Sequence, residues 1–154
     1  MKERSAFFLS LSVLCFAVLV HSAVSQEKGF GLGVILGEPS GISAKMWLNQ
    51  RTAIDGGLAW SFRADGSFHV HADYLWHFHD AVKSTERFVP YVGIGARLAT
   101  TSDAVFGARI PIGLLWWPKG APIDVFAEIV PILDLAPATE FRGNGGIGVR
   151  YYFQ

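Results

Sequence analysis

From residue 29 onward the chain alternates. Every second residue in eight successive segments is apolar, and the residues between collect nearly all the charge those segments carry. A period of two is the strand period, with successive side chains on opposite faces. The segments run over residues 29–36, 42–48, 52–62, 68–78, 88–99, 105–117, 122–132 and 143–153. Turn residues separate them, among them Gly37-Glu38-Pro39-Ser40-Gly41, Asn49-Gln50-Arg51, Asp65-Gly66 and Pro118-Lys119-Gly120. The regular spacing predicts a meander of antiparallel hairpins rather than βαβ units. Glycine, with 17 copies mostly inside the apolar segments, argues further against helices.

One face reads Phe30, Leu32, Val34, Leu36, then Ile42, Ala44, Met46, Leu48, and continues in this way to Ile147, Val149, Tyr151, Phe153. The other carries Lys45, Asp55, Asp73, Arg97, Arg109, Asp124, Glu128 and Arg150, with His69, His71 and His77. Two architectures fit. A soluble, secreted lipocalin-like barrel would turn the apolar face inward and bind an apolar ligand. A membrane barrel would turn it toward lipid and enclose the charges. Three features favour the second. The apolar face is large and aromatic-rich. The eight charges balance by sign, as groups confined together must. All five tryptophans (Trp47, Trp60, Trp76, Trp116, Trp117) fall near strand ends, where an aromatic girdle would meet the two lipid–water boundaries.

The expected fold is therefore all-β: an eight-stranded antiparallel up-and-down transmembrane β-barrel. About 9–11 tilted residues cross a bilayer, and most segments reach that length. Eight strands leave room only for side chains inside, so the charges should form an ion-paired plug, with the glycines making room for Lys and Arg side chains. Pro111 conflicts with a closed ladder; a β-bulge or a missing ladder bond is expected there, and a milder disturbance at Pro131.

The first residues are of another kind. Lys2 and Arg4 precede an apolar stretch over residues 7–20, and Ala23-Val24-Ser25 offers small residues at a cleavage position. This reads as a secretory signal peptide over residues 1–25, followed by one barrel domain over 26–154. Cleavage removes Cys15, the single cysteine, so the exported chain has no disulfide. For an exported barrel of this kind the expected location is a bacterial outer membrane. The chain is 51% hydrophobic with a formal net charge of +0, and with no basic stripe nucleic acid is excluded as a partner. Past the leader no apolar run approaches the ~18 residues of a membrane helix.

The signal peptide, the alternating strands and the aromatic-ended last strand resemble small eight-stranded outer-membrane barrels of the OmpA and OmpX type. The resemblance implies outer-membrane lipid and the barrel-insertion machinery as partners, although Gln154, not Phe153, ends the chain. More narrowly, Gly33-Val34-Ile35-Leu36-Gly37-Glu38-Pro39-Ser40-Gly41-Ile42-Ser43 and Val130-Pro131-Ile132-Leu133-Asp134-Leu135 resemble a bacterial family of such barrels with no assigned chemistry.

Candidate chemistry is sparse. His69 and His71 lie on one face of a strand, about 6.6–6.8 Å apart along it; a His-x-His pair with Asp55 as third ligand could hold zinc, but membership of the interior network is the expectation, with no metal and no cofactor. Ser43 or Ser61 with His69 or His71 and Asp73 could be drawn as a hydrolytic triad of a lipid-modifying enzyme, but strand order alone establishes no contact; no enzyme is expected. A narrow channel is a further alternative. Surface recognition of an extracellular ligand would fall to the one sizeable outer loop, 133–142, through Asp134, Pro137, Thr139, Glu140 and Phe141. The expected role is structural, in the cell envelope.

Overall fold

The computed structural model describes residues 29–62, 66–100 and 103–153; the signal peptide expected over residues 1–25 lies outside them. Nine strand segments follow in chain order: β1 Phe30–Glu38, β2 Ser40–Trp47, β3 Thr52–Ser61, β4 Ser67–His77, β5 Arg87–Thr100, β6 Ala104–Arg109, β7 Ile112–Trp117, β8 Ile123–Ala136 and β9 Glu140–Phe153. Every neighbouring pair is antiparallel. β1 pairs with both β2 and β9, and β4 closes onto β5, so the sheet is a ring. β6 and β7 both lie between β5 and β8 and form one stave, which makes the ring eight-stranded. Closure leaves no edge to template aggregation.

The stave is divided at Ile110-Pro111 by chemistry rather than by register. Arg109 faces Ile132 and Ile112 faces Ile129, so the pairing continues in step across the gap. Proline has no N–H to give to the ladder, and the bonds on either side persist: Ile110 N–H donates to the Pro131 carbonyl (3.0 Å) and Gly93 N–H to that of Pro111 (2.8 Å). The missing ladder bond expected at Pro111 is thus present, and the bulge is not there. A register shift does occur in this stave, nearer its start, between Phe106 and Gly107.

Both described ends of the chain, Gly29 and Phe153, lie at one end of the barrel, here called the base; the opposite end is the rim. Alternation sorts the faces as expected. Leu32, Val34, Ile42, Leu58, Ile94, Leu98, Ile147 and Val149 are exposed outside. Lys45, Asp55, Asp73, Arg97, Arg109, Asp124 and Arg150 are buried inside. The soluble reading requires the reverse and is overturned: its proposed core is the outer surface.

The tryptophans divide. Trp60 with Phe62 and Phe68 at the rim, and Trp76 with Phe78, Phe30, Tyr151 and Phe153 at the base, are exposed outside. Trp116 stacks on Phe88. Trp47 and Trp117 are corrections to the expected girdle. Their odd-numbered positions face inward, both are buried, and they close the base. Trp47 lies 4.3 Å from the His77 ring and 5.4 Å from Trp117, centroid to centroid. Its indole N–H donates to the Tyr152 hydroxyl at 3.3 Å.

The inward glycines make room for rings more than for the Lys and Arg side chains expected. A Cβ on Gly113 would strike the Tyr91 ring, and one on Gly148 the Phe126 ring. Gly113→Val should therefore overpack the interior and destabilise by about 1–3 kcal/mol. Gly143, with nothing within 4 Å of such a Cβ, should tolerate alanine to within about 0.5 kcal/mol. Thermal unfolding of the two variants side by side checks the difference.

Candidate functional site: the barrel interior

The interior is polar because β2 to β9 each turn charged or hydrogen-bonding residues inward at alternate positions. It is organised in two layers and a plug. In the rim layer, Arg97 on β5 donates to Asp134 on β8 through Nε (2.9 Å) and Nη2 (2.7 and 2.6 Å). Such fork-to-carboxylate pairing fixes geometry as well as charge. Arg142 adds a contact to Asp134 at 3.0 Å and pairs with Glu140 at 2.6 Å. Ser61 donates to Glu38, and Ser67 hydrogen-bonds His69 at 2.6 Å.

The lower layer centres on two arginines. Arg150 is fully buried, and its Nε donates to Asp124 at 3.0 Å. Its Nη1 reaches Asp55 (3.3 Å) and Ser43 (3.4 Å), and its guanidinium lies 3.9 Å over the Phe126 ring. Arg109 approaches Asp73 (2.9 Å) and Glu128 (3.7 Å). Tyr91 donates to Glu128 at 2.9 Å, and Tyr152 to Asp124 at 2.6 Å. Lys45 has a different kind of partner. Its ammonium lies 2.7 Å from His77 Nε2 and over the Trp47 and Tyr91 rings at 4.6 and 5.3 Å. His77 Nδ1 is 3.2 Å from the Arg51 carbonyl. Those two contacts define one tautomer: Nδ1 carries the proton and donates to the carbonyl, and Nε2 accepts from the lysine.

All eight residues of the expected ion-pair network face the interior, but the pairing differs in detail. Lys45 meets an imidazole, not a carboxylate. Asp134, assigned by sequence to the surface loop, is the main correction: it is 2% exposed and belongs to the network. β8 runs on to Ala136 and β9 begins at Glu140, so most of the expected loop 133–142 is strand and only residues 137–139 connect. Thr139, Glu140 and Phe141 are exposed as expected. The signal for Asp134 was available, because it has the same even parity as Asp124 and Glu128 once the strand is allowed to pass Pro131. Tyr91 and Tyr152, both inward hydrogen-bond donors to carboxylates, were not among the residues expected in the network.

The hydrolytic arrangement drawn from sequence is not assembled. The contacts of the two serines run elsewhere: Arg150 Nη1 lies 3.4 Å from the Ser43 hydroxyl, and Ser61 donates to Glu38. The metal pair His69 and His71 also separates. His69 turns to Ser67, while His71 stands with Asp55 and Asp73, one ligand atom from each within 4.8 Å of the others. Asp55, the possible third ligand, thus stands beside His71, and Asp73 rather than His69 stands with them.

No family model matches the chain, and no curated protein matches it in sequence. The narrower resemblance of residues 33–43 and 130–135 therefore gains no support. Solved structures do match in fold. The N-terminal β-barrel domain of Pseudomonas aeruginosa OprF superposes with a TM-score of 0.67 at 14% identity, over 84% of this chain and 100% of that one. Neisserial surface protein A superposes with a TM-score of 0.56 at 17% identity, over 80% and 93%. The fold is thus that of the small eight-stranded outer-membrane barrels, of the OmpA and OmpX type.

Proposed function

We propose that this chain is a bacterial outer-membrane protein whose barrel spans the bilayer with a filled interior and serves the envelope structurally. The observation that carries this reading is the pairing of opposites across one wall. An apolar exterior with exposed aromatic residues toward both ends encloses a packed polar interior. Only lipid makes both faces favourable at once, because the exposed aliphatic residues would be costly in water and a closed ladder pairs its backbone groups strand to strand, as hydrocarbon requires. Arg150, Lys45, Tyr91, Leu75, Leu115 and Asp124 are all fully buried inside, and a cavity of about 20 Å³ near the rim holds roughly one water. That packing supports a plug rather than a channel.

In this reading the base faces the periplasm and the rim the outside. Tyr151 and Phe153, outward at the end of β9, form the signal for the insertion machinery. Among the described residues, the β8–β9 hairpin is the surface best suited to recognition. β1 stops pairing with β9 at Glu38–Gly145, whereas β8 and β9 stay paired to Asp134–Glu140. The hairpin thus stands above its neighbour and presents Thr139, Glu140 and Phe141, the last 78% exposed.

The test is gel mobility with and without boiling, run on separated soluble and outer-membrane fractions. A membrane-fraction band that shifts on boiling is expected. A soluble band with no shift would sink the proposal. In planar bilayers the purified protein should give no large, steady conductance.

A further inference from the structure

Below the Arg97–Asp134 pair, the described interior holds the cations Lys45, Arg109 and Arg150 against the carboxylates Asp55, Asp73, Asp124 and Glu128. One carboxylate is left over. Its location follows from the contacts. Asp124 has Arg150 and Tyr152; Glu128 has Tyr91 and Arg109. Asp55 and Asp73 are served least. They stand directly opposite each other in the β3–β4 register, where like charges repel. Asp55 Oδ1 and Asp73 Oδ1 are buried without a hydrogen bond, and so is His71 Nδ1 beside them. The Arg109 Nε contact to Asp73 is a charge contact at 2.9 Å that makes no aligned hydrogen bond. Native proteins rarely leave such atoms unsatisfied.

We propose that Asp55, His71 and Asp73 form a binding site for a divalent transition cation of the zinc class inside the barrel. The donor set selects that class. Calcium and magnesium want six or more oxygens, whereas an imidazole with two carboxylates suits zinc or its neighbours. For three atoms no more than 4.8 Å apart, some point lies within about 2.8 Å of all three, so inward rotations of under ~1 Å reach zinc bond lengths of ~2.0–2.2 Å. Outer support is present. Arg150 holds the other oxygen of Asp55 at 3.3 Å, and Gly57 beneath the His71 ring admits the imidazole, since a Cβ there would meet its Cε1 at 2.7 Å. Space adjoins the site as well. The cavity of about 20 Å³ is lined by His71 and Arg109 together with Glu38, Pro39, Asn144 and Gly145, so the imidazole borders it.

The test uses the full barrel, folded in detergent micelles, stripped with a chelator and titrated with Co²⁺ alone and then with Zn²⁺. Wild type should bind one equivalent of cobalt, with the visible absorption of a low-coordinate site, and zinc should displace it. His71→Ala and Asp73→Asn should each weaken binding about 10–100-fold or more. His69→Ala, two residues away on the same face, should bind as wild type does. Mobility with and without boiling verifies that each variant is folded before titration. His71→Ala removes no ion pair, so it decides the matter if Asp73→Asn does not fold. The proposal is overturned if wild type shows no saturable cobalt signal, or if that signal survives His71→Ala; a proton shared by Asp55 and Asp73 would then balance the surplus charge.

Discussion

Arg150→Ala is expected to destabilise the barrel by about 3–5 kcal/mol, the range for breaking a buried charge pair by deleting one partner. The guanidinium is 0% exposed and touches two carboxylates, a hydroxyl and an aromatic face. Alanine would leave Asp124, itself 0% exposed, with Tyr152 as its remaining donor, and Asp55 without its arginine. The cost comes mainly from these stranded anions, because lost attraction between buried ions is partly offset by their desolvation. That origin has its own signature. Arg150→Ala with Asp124→Ala should cost less than the two single changes added together, by roughly 0.5–3 kcal/mol. Guanidinium unfolding of the protein in lipid vesicles measures all three variants. A single-variant loss below ~1 kcal/mol would mean that the pair does not anchor β9 to β8.

Ile94→Arg tests the other face and should cost about 2–4 kcal/mol if residue 94 lies near the bilayer midplane. Ile94 sits midway along β5, opposite Tyr74 on β4, with 57% of its surface exposed. In water an arginine there would be harmless, since an exposed substitution usually stays within about 0.5 kcal/mol. In lipid it must desolvate its charge or distort the bilayer. The control is Phe141→Arg, beyond the exposed rim aromatics, which should cost about 0–1 kcal/mol. Unfolding in vesicles should separate the two positions. Equal, near-zero costs at both would mean that the outer surface is not in lipid.

Much of this was legible before any coordinates, for one physical reason. A strand in a closed sheet has two faces, and a one-residue slip exchanges them completely, so parity alone sorted Ile94 outward and Arg150 inward. Parity also carried the places where sequence reading went astray. Trp47 and Trp117 share the inward parity of Lys45 and Gly113, but strand-end aromatics suggest a girdle and the aromatic signal was given precedence. Asp134 was lost because Pro131 looked like an end. In a barrel a proline can stay in a strand when its carbonyl still accepts a neighbour's N–H, as Pro131 does from Ile110.

The alternation of apolar and charged residues, with its turns, was enough to define strands, faces, closure and a charged interior, because these depend on local periodicity and on the sum of charges. Which charges meet depends on register between strands that lie far apart in sequence. Nothing local pairs Arg97 with Asp134, gives Lys45 to His77 instead of to a carboxylate, or stands Asp55 against Asp73 beside His71. Those contacts follow from the stagger of the closed ladder and from the space that Gly57, Gly113 and Gly148 leave for rings, and both are properties of the assembled barrel.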